Sequence, residues 1–135
     1  MNDQESQAIV ETFLRELEAG HNEAALALLA DDVVYENVPF PPARGKVATE
    51  KMLRQFLTLF DTFQVTMHAI AARDGVVLTE RTDVLSGKVF HLDIWVCGTF
   101  EVRDGKITVW RDRFDLVQTT TKLFTGPIRK LLGLV

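Results

Sequence analysis

This 135-residue chain has little cysteine and no excess of basic residues, and each of these two facts excludes a class of function. Cys97 is the only cysteine, so the sequence excludes an intrachain disulfide and a cysteine-cluster metal site. The chain has 15 Lys and Arg against 19 Asp and Glu, which gives a formal net charge of -4. Without a basic excess, binding to nucleic acid or to an anionic membrane surface has little electrostatic support. We therefore expect a small-molecule or protein partner.

Long hydrophobic runs are also missing. Even the apolar stretch at 89–100 is broken by His91 and Asp93, and it falls short of the roughly 18 residues that suggest a spanning helix. The first five residues are polar and acidic, without the cationic segment and apolar run of a secretory signal. We expect a cytoplasmic protein with no membrane span.

The composition, 47% apolar and 25% charged, predicts a single globular domain over residues 1–135. Apolar residues at helical spacing predict one helix around residues 9–17 and another over residues 47–60. Between them, Asn22 is expected to cap a short helix over residues 23–30. The β-branched residues of 33–38 favour a strand, which must end at the prolines that follow.

The second half of the chain has the character of a β-sheet. Four β-rich runs, at 63–73, 76–86, 89–103 and 107–115, are separated by short segments that contain glycine. Tight turns between long strands predict an antiparallel meander, and the preceding helices can cover only one of its faces. The fold class is therefore α+β. The opposite face, which includes Trp95, could be solvent-exposed, a pocket wall or a subunit interface.

Alternation along the strands places charged residues where their neighbours are apolar. Arg81 and Asp83 are two residues apart and share one side of their strand. On the last strand, Asp112 shares a side with Trp110, Phe114 and Leu116. A buried carboxylate must be paired, neutralised or used, and an arginine between two carboxylates would be its natural partner. A surface cross-strand pair and a purely structural buried ion pair remain open as alternatives.

Other polar residues give weaker signals. Tyr35 and Asn37 share a strand side, which fits either a functional pair or a hydrogen-bonded strand end. His91 and Asp93 also share a side, but a single pair is weak evidence for a metal site. The terminal segment at 122–135 could form a helix or a flap over a cavity, and Gly126 and Pro127 would interrupt it.

Three motifs in order along the chain resemble the limonene-1,2-epoxide hydrolase family. They are YENVP at 35–39, with two prolines at 41–42, then TERTDVL at 79–85, and GKITVWRD at 105–112. The resemblance implies the cone fold of ketosteroid isomerases and polyketide cyclases. In that fold a strongly curved, mixed, mostly antiparallel sheet forms a pocket covered by three or four helices. It also implies a homodimer that assembles through the sheet, and hydrolysis of lipophilic epoxides to vicinal diols without metal or cofactor.

Carried over to this sequence, the resemblance makes Asp112 the base that activates a water molecule held also by Tyr35 and Asn37. It makes Asp83 the acid that protonates the epoxide oxygen, with Arg81 bridging the two aspartates. Such a pair is expected to share one proton and to titrate as a coupled unit. The expected pH profile of hydrolysis is bell-shaped.

The pocket is expected to be apolar, which suits terpene, aryl and sterol epoxides alike. Its expected lining consists of Val33, Leu53, Phe60, Leu85, Trp110 and Phe114. Arg113 is a departure, because a member of the family has an aromatic residue at this position, and its parity points it away from Asp112. A ketosteroid isomerase-like enzyme is an alternative, but that group takes a tyrosine from helix one, whereas the single tyrosine here is Tyr35. A non-catalytic binding module is the other alternative, and it leaves the three motifs unexplained.

Overall fold

Three helices and six strands make up the described part of this computed structural model, which comprises residues 1–88, 90–115 and 118. In chain order they are α1 (Asp3–Glu18), α2 (Asn22–Leu26), β1 (Leu29–Val38), β2 (Ala43–Arg44), α3 (Lys46–Leu57), β3 (Thr62–Arg73), β4 (Val76–Ser86), β5 (His91–Arg103) and β6 (Lys106–Phe114).

The strands form one curved sheet in the order β2-β1-β6-β5-β4-β3. Strands β3 to β6 are an antiparallel meander, and β1 runs parallel to β6. Asp74 and Asp104 have φ values of 51° and 52°, and each is followed by a glycine of positive φ. Positive φ at both central residues gives the tight hairpin turn whose twist matches the strands it joins. The predicted mixed, mostly antiparallel α+β fold is confirmed.

Helix α1 begins at a capping box, in which the Asn2 side chain accepts from Glu5 N at 2.8 Å and the Glu5 carboxylate accepts from Asn2 N at 3.1 Å. This reciprocal arrangement satisfies two backbone donors at the helix start. The buried side of the helix carries Val10, Phe13 and Leu14. These residues pack on the concave face of the sheet and form the main hydrophobic core with residues of β1, β4, β5 and β6.

The second helix is shorter than the sequence suggested. The expected helix over 23–30 ends at Leu26, and its N-cap is His21 rather than Asn22. Leu29 is buried in the core and pairs with Ile107 of β6, so burial in the sheet overrides the helical preference of this alanine- and leucine-rich stretch. The two-residue strand β2 was not predicted, because two residues carry no periodicity.

Helix α1 begins at Asp3, six residues before the first apolar residue that predicted it, and the other predicted elements agree with the structure to within about four residues. The last two strands are β5, which begins at His91, and β6, which ends at Phe114. Val89, Leu116 and the terminal segment at 122–135 lie outside the described residues. Within the described ranges, no helix is both long enough and apolar enough to cross a membrane.

Candidate active site

A cavity of about 610 Å³ lies between the concave face of the sheet and the three helices. Its wall is mainly apolar, and five of the six predicted lining residues contribute to it, namely Leu53, Phe60, Leu85, Trp110 and Phe114. The sixth, Val33, is instead fully buried in the hydrophobic core. The cavity is also lined by Leu92, Ile94 and Val96 of β5, which were not predicted. Their shared strand parity is the signal that could have identified them.

The polar side chains predicted from the sequence meet in this cavity. Tyr35, Asn37, Asp83 and Asp112 all line it. In the parallel pairing of β1 with β6, Tyr35 lies opposite Trp110 and Asn37 lies opposite Asp112. Because side chains on paired strands at the same level share a face, this register brings the two pairs together.

Arg81 connects the two carboxylates. Its Nε donates to Asp83 Oδ1 at 2.8 Å, and its Nη2 donates to Asp83 Oδ2 at 3.1 Å. The same Nη2 lies 2.9 Å from Asp112 Oδ2. The remaining nitrogen, Nη1, donates to Thr79 Oγ1 at 3.1 Å. Arg81 is completely buried, so its charge is neutralised by protein groups and not by solvent.

The Asp112 carboxylate is held on one oxygen only. Oδ2 accepts from Arg81 and also from the Trp110 indole Nε1, at 3.1 Å. Oδ1 is buried, and among the described residues it has no hydrogen-bond partner. Buried polar atoms are nearly always satisfied, so an exception at the polar end of a cavity marks a candidate for chemistry.

Burial dominates the electrostatics of Asp112. Loss of solvation raises the pKa of its carboxyl above the usual range, the Arg81 charge opposes that effect, and the Asp83 charge adds to it. Burial also raises the pKa of the Tyr35 phenol well above its ordinary value, and the negative Asp112 contributes in the same direction. For Arg81, burial lowers the pKa, but the charges of Asp112 and Asp83 outweigh it and hold the guanidinium protonated.

Aromatic packing fixes this polar group in place. The rings of Tyr35 and Trp110 stack with centroids 3.9 Å apart and an interplanar angle of 22°. Phe13 of α1 contacts Trp110 edge-on at 4.8 Å. The Arg81 guanidinium lies 5.9 Å from the centre of the Phe100 ring. Thr79, Trp110 and Gly98, which touch the charged groups directly, were not assigned such roles from the sequence.

The remaining polar candidates are not part of this cluster. His91 Nδ1 forms a hydrogen bond with Ser86 Oγ at 2.8 Å. Arg113 is exposed and donates to Thr99 Oγ1 at 3.3 Å, on the face opposite Asp112 as expected. Among the described residues, no three or more His, Cys, Asp or Glu side chains form a cluster that could hold a metal ion.

Comparison with known proteins agrees with this geometry. The model of the limonene-1,2-epoxide hydrolase catalytic domain matches residues 4–125. This chain belongs to the limonene-1,2-epoxide hydrolase family. The curated epoxide hydrolase EphG of Mycobacterium tuberculosis is 44% identical over 126 residues, which cover 93% of this chain and 81% of the relative. The family prediction, and with it the prediction of an epoxide hydrolase enzyme, is confirmed.

Solved structures give the same family and a wider fold relationship. An LEH-like epoxide hydrolase from M. tuberculosis is 40% identical, with a TM-score of 0.87 over 97% of this chain and 98% of that chain. A Kribbella flavida protein described as a ketosteroid isomerase is 20% identical, with a TM-score of 0.72 over 84% of this chain and 79% of that chain. At that identity the likeness shows the fold alone. The limonene-1,2-epoxide hydrolase family thus shares its architecture with proteins of distant sequence.

Proposed function

We propose that this protein adds water to a lipophilic epoxide in one step to give a vicinal diol, using only its own side chains. The observation that carries the proposal is the Arg81 bridge between Asp83 and Asp112 at the polar end of an apolar cavity. Water is a poor nucleophile and a strained ether is a poor leaving group. A base and an acid that act in the same step address both difficulties.

Asp112 is the proposed base. Its anion takes a proton from a water molecule that Tyr35 and Asn37 also hold, while the water oxygen attacks an epoxide carbon. Burial raises the pKa of the Asp112 carboxyl, which makes the anion a stronger base than an exposed aspartate. Tyr35 remains a neutral hydrogen-bond donor because burial raises the pKa of its phenol.

Asp83 is the proposed acid. It donates its proton to the epoxide oxygen as the carbon–oxygen bond breaks, so no free alkoxide forms. In the reacting form of the pair the proton is on Asp83, and after the reaction it is on Asp112. Return of that proton to Asp83 restores the starting state. Arg81 contacts both carboxylates throughout and offsets their negative charge, which supports a pair that shares a single proton.

The cavity supports a lipophilic substrate. Most of its wall is apolar, and a volume of about 610 Å³ lies within the range for drug-sized ligands. Terpene, aryl and sterol epoxides all have the required combination of a hydrocarbon body and one polar ring. The charged and polar groups next to Asp112 would orient the epoxide oxygen, and the apolar wall would hold the rest.

We further propose that residues 1–135 act as a single domain, in a cytoplasmic homodimer that assembles through the outer face of the sheet. On that face Leu78 and Trp95 are 53% and 51% exposed. Large exposed apolar side chains on a sheet face are typical of an interaction surface. Cys97, on the same face, is a free exposed thiol, which is compatible with a reducing compartment. Analytical ultracentrifugation of the native protein tests the assembly, and a monomer at micromolar concentration would contradict it.

The test of function is turnover of terpene, aryl and sterol epoxides by metal-free protein, with chiral analysis of the diol. Asp112→Asn should abolish turnover, because it keeps the size of the side chain and removes its basicity. Asp104→Asn, in an exposed turn, is the matched control and should keep native activity.

A single turnover in ¹⁸O-labelled water tests the one-step mechanism. Direct attack by water places the label in the first diol formed. A covalent ester to an aspartate would instead deliver an unlabelled carboxylate oxygen in the first turnover. Unlabelled first product, or equal activity of Asp112→Asn and the native protein, would overturn the proposed mechanism.

A further inference from the structure

We propose that Trp110 is a positioning residue for the base, because its indole N–H occupies the same Asp112 oxygen as Arg81 and so fixes the orientation of the carboxylate. This inference depends on the proposed role of Asp112. The two donors reach Oδ2 at 3.1 Å and 2.9 Å, from Trp110 and Arg81 respectively. With both donors on Oδ2, the carboxylate has one well-defined rotation about its side-chain bond.

The indole is itself held rigidly. Trp110 is only 4% exposed, and its ring is stacked on Tyr35 and contacted edge-on by Phe13. Phe100 lies parallel to it at 6.4 Å, with an interplanar angle of 13°. Packed aromatic rings of this kind occupy a single rotamer, because any rotation collides with neighbours in a close-packed interior. The N–H is therefore aimed at Asp112 before any substrate binds.

The strand register gives Trp110 a second connection. Trp110 and Asp112 are two residues apart on β6 and face the same side, and Tyr35 lies directly opposite Trp110 on β1. The Trp110 side chain therefore stacks on the Tyr35 phenol and donates a hydrogen bond to the Asp112 carboxylate. Both are groups proposed to hold the attacking water. Trp110 sets the distance between them, so its loss should affect the rate more than substrate binding.

A hydrogen bond to a carboxylate stabilises the anion, so the bond from Trp110 lowers the pKa of Asp112 against the raising effect of burial. Among the described residues, the other charged or titratable groups that face Asp112 are Arg81 and Asp83 from β4 and Tyr35 from β1. Further along the cavity wall lie Glu23 of α2 and Glu50 and Arg54 of α3. Removal of the indole donor leaves all of these in place.

Trp110→Phe is the deciding variant, because it keeps an aromatic ring and removes the N–H. The anion of Asp112 becomes less stable, so its pKa rises, and the acid limb of the kcat/KM profile should move about 1 unit to higher pH. At the plateau, kcat should fall by about 3- to 30-fold with little change in KM, as expected for lost orientation. Trp95→Phe makes the same substitution on the outer face, where the Trp95 indole contacts Glu80, and should leave both parameters unchanged.

A second measurement uses the native protein and does not depend on turnover. The sequence has two tryptophans, so the ¹H–¹⁵N spectrum has two indole signals, which Trp95→Phe assigns. The titration of Asp112 is measured by ¹³C NMR of the aspartate carboxyls. The Trp110 indole signal should shift with the same midpoint, and Asp112→Asn should abolish that shift. The Trp95 signal should not share its midpoint.

The outcomes separate this inference from the proposed function. A native protein that forms diol, with a Trp110→Phe acid limb at the native pH, overturns the inference and leaves the function intact. An indole signal of Trp110 that ignores the Asp112 titration also overturns it. If no epoxide is turned over but the indole follows Asp112, the proposed function fails while the hydrogen bond and its effect on Asp112 stand.

Discussion

Gly98 on β5 lies directly against the guanidinium of Arg81 on β4. A Cβ atom at Gly98 would overlap Arg81 Nη1, and it would lie 2.7 Å from Thr79 Oγ1 and 3.0 Å from Asp112 Oδ1. Gly98 is paired with Thr79 on one side and with Asp112 on the other. The missing side chain thus leaves the space that the bridge between the two carboxylates occupies.

Gly98→Ala tests this relationship. Arg81 cannot move aside without losing its bonds to Asp83 and Asp112, so one added methyl group should destabilise the fold by about 1–3 kcal/mol. It should also lower kcat/KM by about 100-fold, because small displacements of catalytic groups are costly. Urea denaturation and steady-state kinetics measure the two effects. Cys97→Ala, at the preceding residue and on the outer face, is the control. A near-native rate in Gly98→Ala would show that the bridge tolerates displacement.

Thr79 Oγ1 accepts a hydrogen bond from Nη1, the third nitrogen of the Arg81 guanidinium. Thr79→Val keeps the shape of the side chain but removes the acceptor for Nη1, which leaves a charged donor buried and unsatisfied, at a cost of about 1–3 kcal/mol. Thr79→Ser keeps the hydroxyl and should restore most of the lost stability and rate. Thermal denaturation of the three proteins side by side measures the effect. If valine and serine behave alike, the hydroxyl has no part in holding Arg81.

Strand periodicity predicted most of the polar cluster, because alternation alone puts Arg81 with Asp83 and Trp110 with Asp112. It could not predict that β1 joins β6 in parallel, which brings Tyr35 and Asn37 to the same place. That pairing depends on contacts between residues about 75 positions apart, as Asn37 and Asp112 are, and no local pattern records them.

The errors have a common physical origin. Val33 was expected in the cavity wall because the pocket was expected to be apolar, but it is fully buried in the hydrophobic core. Residues 27–30 were expected in a helix because alanine and leucine favour helices, but burial of Leu29 extended the strand. Gly98 carried no signal, because the need for a missing side chain exists only when three strands are in register.

Tyr35→Phe separates the hydroxyl of Tyr35 from its ring. The stack on Trp110 should persist, while the loss of one donor to the attacking water should lower kcat by about 10- to 100-fold. Because burial and Asp112 raise the pKa of this phenol far above its usual range, the alkaline limb of the activity profile should be the same in the variant as in the native protein. The chain has a single tyrosine, so phenolate absorbance in the ultraviolet reports on it directly. Phenolate formation in the folded protein along with the alkaline limb would contradict this assignment.

Asp112 should make the stability of the protein depend on pH in a direction opposite to that of an ordinary salt-bridged aspartate. Burial raises the pKa of its carboxyl in the folded state, so the folded protein binds this proton more tightly than the unfolded chain does. The resulting stabilisation is fully present below the unfolded-state pKa, near about 3.9, and is lost as the pH rises through the folded-state pKa.

The Asn side chain of Asp112→Asn does not titrate. As pH rises through that window, the unfolding free energy of the native protein should therefore fall relative to that of the variant. The sign of the trend is independent of any constant cost of leaving Arg81 with one carboxylate. Urea denaturation at several pH values measures it, and Asp104→Asn at an exposed turn provides the matched comparison. If the difference in unfolding free energy between the two proteins stays constant with pH, the fold does not disfavour the Asp112 anion. The raised basicity assigned to Asp112 would then have no physical source.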